Sequence, residues 1–342
     1  MAELDVAAIA ERLVPGTLQG WSPVRVTGNN RVFRIASDTG TFALKFYPSV
    51  GRDRDERIER EFGGLGFLTA NGMSGTVPTP VARDDAAGAA LYSWLDGEPL
   101  ARFDGVIVDA LLAFLHDLHA LRGMPNAQAI PDAREATRTL AELLGQVEAR
   151  LARLRMSPCL FDRAQACLDT AEHALAAARR AAEAAYEAAK LDPAAVIPTT
   201  QATLSPSDFG VHNAVRLRDG RIGFVDFEYF GWDDPVKLTA DTLWHPAGSL
   251  ANDSLLAERF RRGAASVYGD AAYHARLAAQ LPIFGLRWCC ICLNEFLPDR
   301  LEQRRRAGEL GGESEILERQ LVKAEGILAR VREMLASTMV DV

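Results

Sequence analysis

Ser205-Pro206-Ser207-Asp208-Phe209-Gly210-Val211-His212-Asn213 is followed, after twelve intervening residues, by Asp226-Phe227-Glu228. The intervening residues hold two short strand-like runs, 214–218 and 221–225, around Asp219-Gly220. An Asp-Gly pair between such runs predicts a hairpin closed by a two-residue type I′ turn. That turn sets Leu217 opposite Ile222 and Val215 opposite Phe224, four apolar side chains on one face. The next pair outward is Asn213 opposite Asp226, and cross-strand partners sit about 5 Å apart. An amide oxygen beside a carboxylate suits a hard cation such as Mg²⁺, which takes oxygen ligands. Asp208 adds a carboxylate five residues before Asn213. Phosphoryl transfer from ATP needs a carboxylate near the acceptor hydroxyl and oxygen ligands for a metal on the phosphates. Asp-x4-Asn by itself fits turn residues capping backbone better; the hairpin and Asp226 shift the balance to the chemical reading.

The N-terminal part supplies a cation. Residues 31–36 and 41–47 read as strands joined by Ser37-Asp38-Thr39-Gly40. In the second strand Phe42, Leu44 and Phe46 point to one face and Ala43, Lys45 and Tyr47 to the other. An adenine can slide over Ala43 while Lys45 reaches phosphate; taken alone, a lysine here also fits a solvated strand face. Residues 53–68 read as a helix ending near Asn71-Gly72, with Glu61 at its middle placed to pair with Lys45. Residues 89–95 read as a further short strand, and Asp96-Gly97 as a turn.

Beyond residue 95 the chain is mostly helical. Leu140, Leu144, Val147, Leu151 and Leu154 follow a 4, 3, 4, 3 spacing that gives one apolar seam. Residues 171–190 contain 11 alanines out of 20, so 131–191 reads as a helical pair rather than a sheet. The whole chain has 342 residues, a net charge of −8 and 48% apolar residues, which excludes disorder. Its acidic balance argues against a nucleic-acid partner, and no 18-residue stretch is both continuously apolar and free of charge, which argues against a membrane span. Residues 1–13 carry Glu3, Asp5, Glu11 and Arg12, unlike a cationic leader, so a cytoplasmic location is expected. Cys289, Cys290 and Cys292 lack the spacing of a metal site and read as buried reduced thiols.

In order and spacing these residues resemble the aminoglycoside phosphotransferase and choline kinase family. The resemblance runs from about residue 25 to 244 and is weak over 131–191. It implies an α+β, protein-kinase-like, two-lobed fold. The small antiparallel-sheet lobe would span 1–95. The large, mainly helical lobe would span 96–342, with catalytic loop and metal hairpin at 204–235 and a helical insertion at 131–191. Thr27-Gly28-Asn29-Asn30-Arg31-Val32-Phe33 is similar to the family's nucleotide loop, and Tyr92-Ser93-Trp94-Leu95 to its hinge. The resemblance therefore implies nucleotide binding by Gly28, Asn29, Asn30, Ala43, Lys45, Glu61, Ser93, Trp94 and Leu95. It implies Asp208 as the catalytic carboxylate, Asn213 and Asp226 as metal ligands, and ATP and Mg²⁺ as the reagents. Gly231-Trp232-Asp233-Asp234-Pro235 also matches, and only eight residues separate Asp226 from Pro235. That is too short a platform for a polypeptide substrate, so the expected acceptor is a small hydroxylated molecule: a sugar, amino sugar, aminoglycoside-like or choline-like compound.

Three departures stand out. Pro206-Ser207 replaces the family's His-Gly, Glu228 replaces the glycine of protein kinases, and His212 replaces a small residue. The first gives a rival expectation, a catalytically weak, pseudokinase-like nucleotide-binding module. On the acceptor side, Glu228 and Asp233 are candidate substrate contacts; alternatively Asp233 or Asp234 caps the helix begun by Pro235. Residues 282–296 read as an apolar helix with Arg287 and Asn294 seven apart on one face. That face either meets other polar residues or lines the acceptor pocket.

Overall fold

The computed structural model describes residues 5–24, 30–47, 52–248, 250–300 and 312–340. By packing, the chain forms two compact units. The first comprises Met1–Ala101, Ala120–Arg134 and Pro206–Gly231, and the second Arg102–His119, Glu135–Ser205 and Trp232–Val342. This partition differs from a division at residue 95, because the loop and hairpin of 206–231 pack with the N-terminal strands.

The first unit is built on a five-stranded antiparallel sheet. Its strands are β1 (Leu18–Val24), β2 (Arg31–Ser37), β3 (Gly40–Phe46), β4 (Pro80–Asp84) and β5 (Ala89–Ser93), in the order β1-β2-β3-β5-β4. The β2–β3 hairpin closes on the pair Ser37–Gly40, as the polar turn predicts. Its apolar face is covered by α1 (Val6–Leu13): Val6, Ile9 and Ala10 pack with Phe33, Ile35, Leu44 and Phe46. The opposite face therefore carries Ala43 and Lys45. Helix α2 (Arg52–Leu68) follows, and the chain leaves it through Gly72 in the left-handed region, φ +93°.

The segment after residue 205 adds a three-stranded sheet of β6 (Gly97–Pro99), β8 (Ala214–Leu217) and β9 (Ile222–Phe224). Here the register differs from the sequence expectation by one residue. Ala214 pairs with Phe224, Val215 with Gly223 and Arg216 with Ile222. The cause is the turn. Gly220 N–H donates to the Leu217 carbonyl, Leu217 N–H donates to the Arg221 carbonyl, and Gly220 has φ +87°. This is a three-residue loop with a left-handed glycine at its end, not a two-residue type I′ turn. Leu217, Ile222 and Phe224 are still buried, but Val215 is only half-buried. Asn213 consequently faces Val225, whose N–H donates to the Asn213 carbonyl at 2.9 Å, and Asp226 lies one position beyond.

The second unit is helical: α3 (Gly105–Ala120), α4 (Leu140–Arg155), α5 (Asp162–Ala188), α6 (Pro235–Trp244), α7 (Ser254–Tyr268), α8 (Ala271–Cys292) and α9 (Glu313–Val340). A short sheet pairs β7 (Thr203–Ser205) with β10 (Gly231–Asp233). The predicted α4 seam is buried at all five positions. Helices α4, α5, α6 and α9 all pack on α8, which is buried almost throughout. That burial explains its apolar composition. All five cysteines are free thiols, and the 289, 290, 292 cluster is buried in α8.

Candidate active site

Lys45 lies on β3, 6% exposed, with its ammonium enclosed by carboxylates. Nζ is 2.6 Å from Glu61 Oε2, 2.5 Å from Asp226 Oδ1 and 3.7 Å from Glu228 Oε2. Strand alternation puts Lys45 on the face opposite the apolar core, and α2 carries Glu61 to it. Glu61 does more than pair with the lysine. Its Oε1 accepts the Phe227 N–H at 3.2 Å, and its Oε2 accepts the Tyr47 hydroxyl at 2.6 Å. Tyr47 in turn lies 2.7 Å from the Tyr92 hydroxyl.

One turn earlier on α2, Arg57 donates to Glu228 Oε1 at 2.9 Å and stacks over Tyr229. Asn30 Nδ2 donates to Glu228 Oε2 at 2.9 Å. Glu228 is 6% exposed and committed to these partners, so it holds the site together and does not contact an acceptor as expected from sequence. Arg57 escaped the sequence reading because the charged start of α2 looks solvated. The available signal was its i, i+4 spacing to Glu61, which puts both on one helix face.

Burial alone would lower the Lys45 pKa, but Asp226, Glu61 and Glu228 outweigh it and hold it well above the usual lysine value. Partial burial, reinforced by Glu228 and Glu61, pushes Asp226 up to about 7 against the pull of Lys45. Burial and then Glu61 push the Tyr47 hydroxyl well above its usual value. Three carboxylates thus share one ammonium and one guanidinium, an excess of one negative charge. About a third of the Asp226 side chain (31%) remains open to solvent.

Asp208 follows a tight turn. Its N–H donates to the Pro206 carbonyl at 2.9 Å around Ser207, which has φ +67°. This is the hydrogen-bond pattern of a γ-turn of the left-handed kind. Ser207 thus sits in the left-handed region, which glycine enters most readily, at the position where the family's His-Gly has glycine. Asn213 Nδ2 donates to the Asp208 carbonyl at 3.0 Å, and His212 Nε2 lies 2.9 Å from Asp208 Oδ1. Asp226 also has φ +67°, a region Asp tolerates better than most residues.

The remaining expectations divide. Ala43 is half-buried opposite Tyr92, and Ser93, Trp94 and Leu95 leave the end of β5. Gly28 and Asn29 lie outside the described residues. Asp233 is fully buried, bound to Lys237 at 2.9 Å and to the N–H groups of Thr137 and Asp234. Asp234, not Asp233, caps α6 by accepting the Val236 N–H at 2.8 Å. Arg287 is 4% exposed and bonded to Gln146, Asp241 and Glu135, so its polar face meets other polar residues. Helix α8 ends at Cys292, which leaves half-buried Asn294 in a separate 3₁₀ turn and breaks the shared face expected with Arg287. Asp233 and Arg287 are therefore corrected from acceptor contacts to internal supports.

Solved structures with this fold include three well-covered matches. One is a choline/ethanolamine kinase family protein from Mesorhizobium loti: 17% identity, TM-score 0.60, 97% of each chain covered. Another is the choline kinase LicA from Streptococcus pneumoniae: 13% identity, TM-score 0.58, 95% of this chain and 98% of that one. The third is a spectinomycin phosphotransferase in complex with ADP and spectinomycin: 11% identity, TM-score 0.58, 94% and 96% covered. At these identities the likeness is one of fold, a mixed α+β, kinase-like architecture. No curated protein matches the chain. The model of the phosphotransferase enzyme family matches residues 20–279, and the chain belongs to that family.

Proposed function

We propose that this chain is an ATP-dependent small-molecule kinase, moving the γ-phosphoryl group to a hydroxyl. The observation that carries the reading is the Lys45 ammonium set between Glu61 and Asp226, with one surplus carboxylate. Lys45, held by Glu61, binds phosphate oxygens, and Gly28, Asn29 and Asn30 serve as the nucleotide loop. Ala43 and Ser93–Leu95 receive the adenine. Asp208 orients the acceptor hydroxyl and takes its proton. The hydroxyl oxygen then forms its bond to the γ-phosphorus as the bond to the ADP oxygen breaks, and ADP leaves with that electron pair.

The donor set fits Mg²⁺. Every candidate ligand is an oxygen, the cluster carries excess negative charge, and Asn30 Oδ1 is buried without a hydrogen-bond partner among the described residues. Asp226 and Asn213 would hold the ion, since the Asn213 bond to the Asp208 carbonyl uses its amide nitrogen and turns its oxygen the other way. Bound there, Mg²⁺ would neutralise charge on the phosphates.

The test is transfer from Mg·ATP to a panel of hydroxylated amines and sugars. Asp208→Asn should lower turnover by about 100-fold or more while ATP affinity stays within about twofold. Undiminished turnover would remove Asp208 from the reaction.

A further inference from the structure

A third of the Asp208 side chain (33%) is open to solvent, so burial does not fix its rotamer. A carboxylate's terminal torsion is broad by nature, and a proton acceptor left to rotate spends little time aimed at its donor. A contact that restrains it comes from within the same loop. His212 Nε2 is 2.9 Å from Asp208 Oδ1, and against an ionised carboxylate that nitrogen carries the proton and donates. The loop is shaped to allow this. A Cβ at Gly210 would stand 3.1 Å from both Cε1 and Nδ1 of His212, so the ring lies back over a position without a side chain. Two successive side chains thus grip the aspartate, Asn213 at the Asp208 main-chain carbonyl and His212 at the Asp208 carboxylate.

We propose that His212 is a positioning residue for Asp208, fixing Oδ1 and so setting where the second carboxylate oxygen meets the acceptor hydroxyl. This rests on the reading of Asp208 as the proton acceptor.

The full chain is assayed with Mg·ATP and three acceptors: water, choline and spectinomycin. His212→Phe keeps the bulk and loses the donor; His212→Gln places an amide nitrogen where Nε2 stands. The expected result for His212→Phe is a kcat about 10- to 100-fold lower with the KM for ATP within about twofold, as misaimed groups cost rate rather than binding. His212→Gln should recover kcat to within about fivefold of the natural chain. A natural rate in His212→Phe overturns the proposal, and so does a Gln variant as slow as the Phe variant. Should His212→Phe not fold, Gly210→Ala presses on the ring at Cε1 and Nδ1 and removes no polar group. It should cost about threefold or more in kcat, and no loss overturns the proposal. Asp208→Asn separates the two readings. If it is inactive while His212→Phe runs at the natural rate, only the His212 role falls. If it is fully active, or the natural chain transfers to none of the acceptors, both fall.

Discussion

Each unit of this protein buries a network of charged side chains, and the two are balanced differently. In the helical unit, Lys237, Arg287 and Arg150 face Asp233, Asp241 and Glu135, three charges of each sign. Lys237 is fully buried between Asp233 at 2.9 Å and Asp241 at 3.0 Å. In the sheet-based unit, Glu61, Asp226 and Glu228 outnumber Lys45 and Arg57, and Asp226 is a third open to water. A balanced network, even with Glu135 reaching solvent at its rim, needs no further charge and serves to hold elements in place. An unbalanced network with one open carboxylate lowers its energy by taking up a cation.

Substitutions separate the two behaviours. The largest effect on stability is expected from Lys237→Met, which leaves buried Asp233 without its cationic partner and Asp241 with Arg287 alone. Removing one partner of a buried ion pair costs about 3–5 kcal/mol. Chemical denaturation measures it, and a loss under about 1 kcal/mol would show that the network is not a structural support.

Asp226→Asn should act on the other side of the contrast. Phosphoryl transfer should drop by about 100-fold or more, while unfolding stability is unchanged or higher, because one of three crowded carboxylates is gone. Asparagine is the right probe, since it tolerates the left-handed backbone at this position. A stability loss as large as that of Lys237→Met would erase the difference between the regions.

The smallest effect concerns pH. Burial would raise the Glu135 pKa, but Arg287 and Arg150 outweigh it and hold it at about 2. An unfolded glutamate titrates near 4.3, so the folded state binds its proton less readily. The contribution is present above about pH 4–5 and disappears as pH falls toward 2. Because the Glu135 side chain is almost half exposed, it should amount to about 1–2 kcal/mol. Stability measured against pH should decline over that window in the natural chain and less so in Glu135→Gln; identical curves would mean that Glu135 carries no weight in the balanced network.

What the sequence revealed follows from how local each feature is. The β2–β3 hairpin, the face of Lys45 and the α4 seam rest on short periodicities, and each stands where the pattern puts it. The β8–β9 register was one residue off because Asp219-Gly220 suits two loop types, both of which want a left-handed Gly220. The hydrogen bonds of Leu217 distinguish them, and these form only in the folded hairpin. The partners of Arg287 come from residues 135, 146 and 241, far apart in sequence, so periodicity placed the arginine and could not choose between its two readings. At Pro206-Ser207 the altered motif pointed to the backbone, and Ser207 does stand in the left-handed region, φ +67°.

Helix α2 has a last consequence. Arg57 and Glu61 are four residues apart, a rise of about 6 Å, and they grip successive residues of the Asp226-Phe227-Glu228 run. The helix thus works as a ruler laid against that run. A slip of one residue, about 1.5 Å along the axis, takes both graduations off their marks together. The strand lysine, the partly open aspartate and the glutamate between the arginine and asparagine are therefore calibrated by one rigid object.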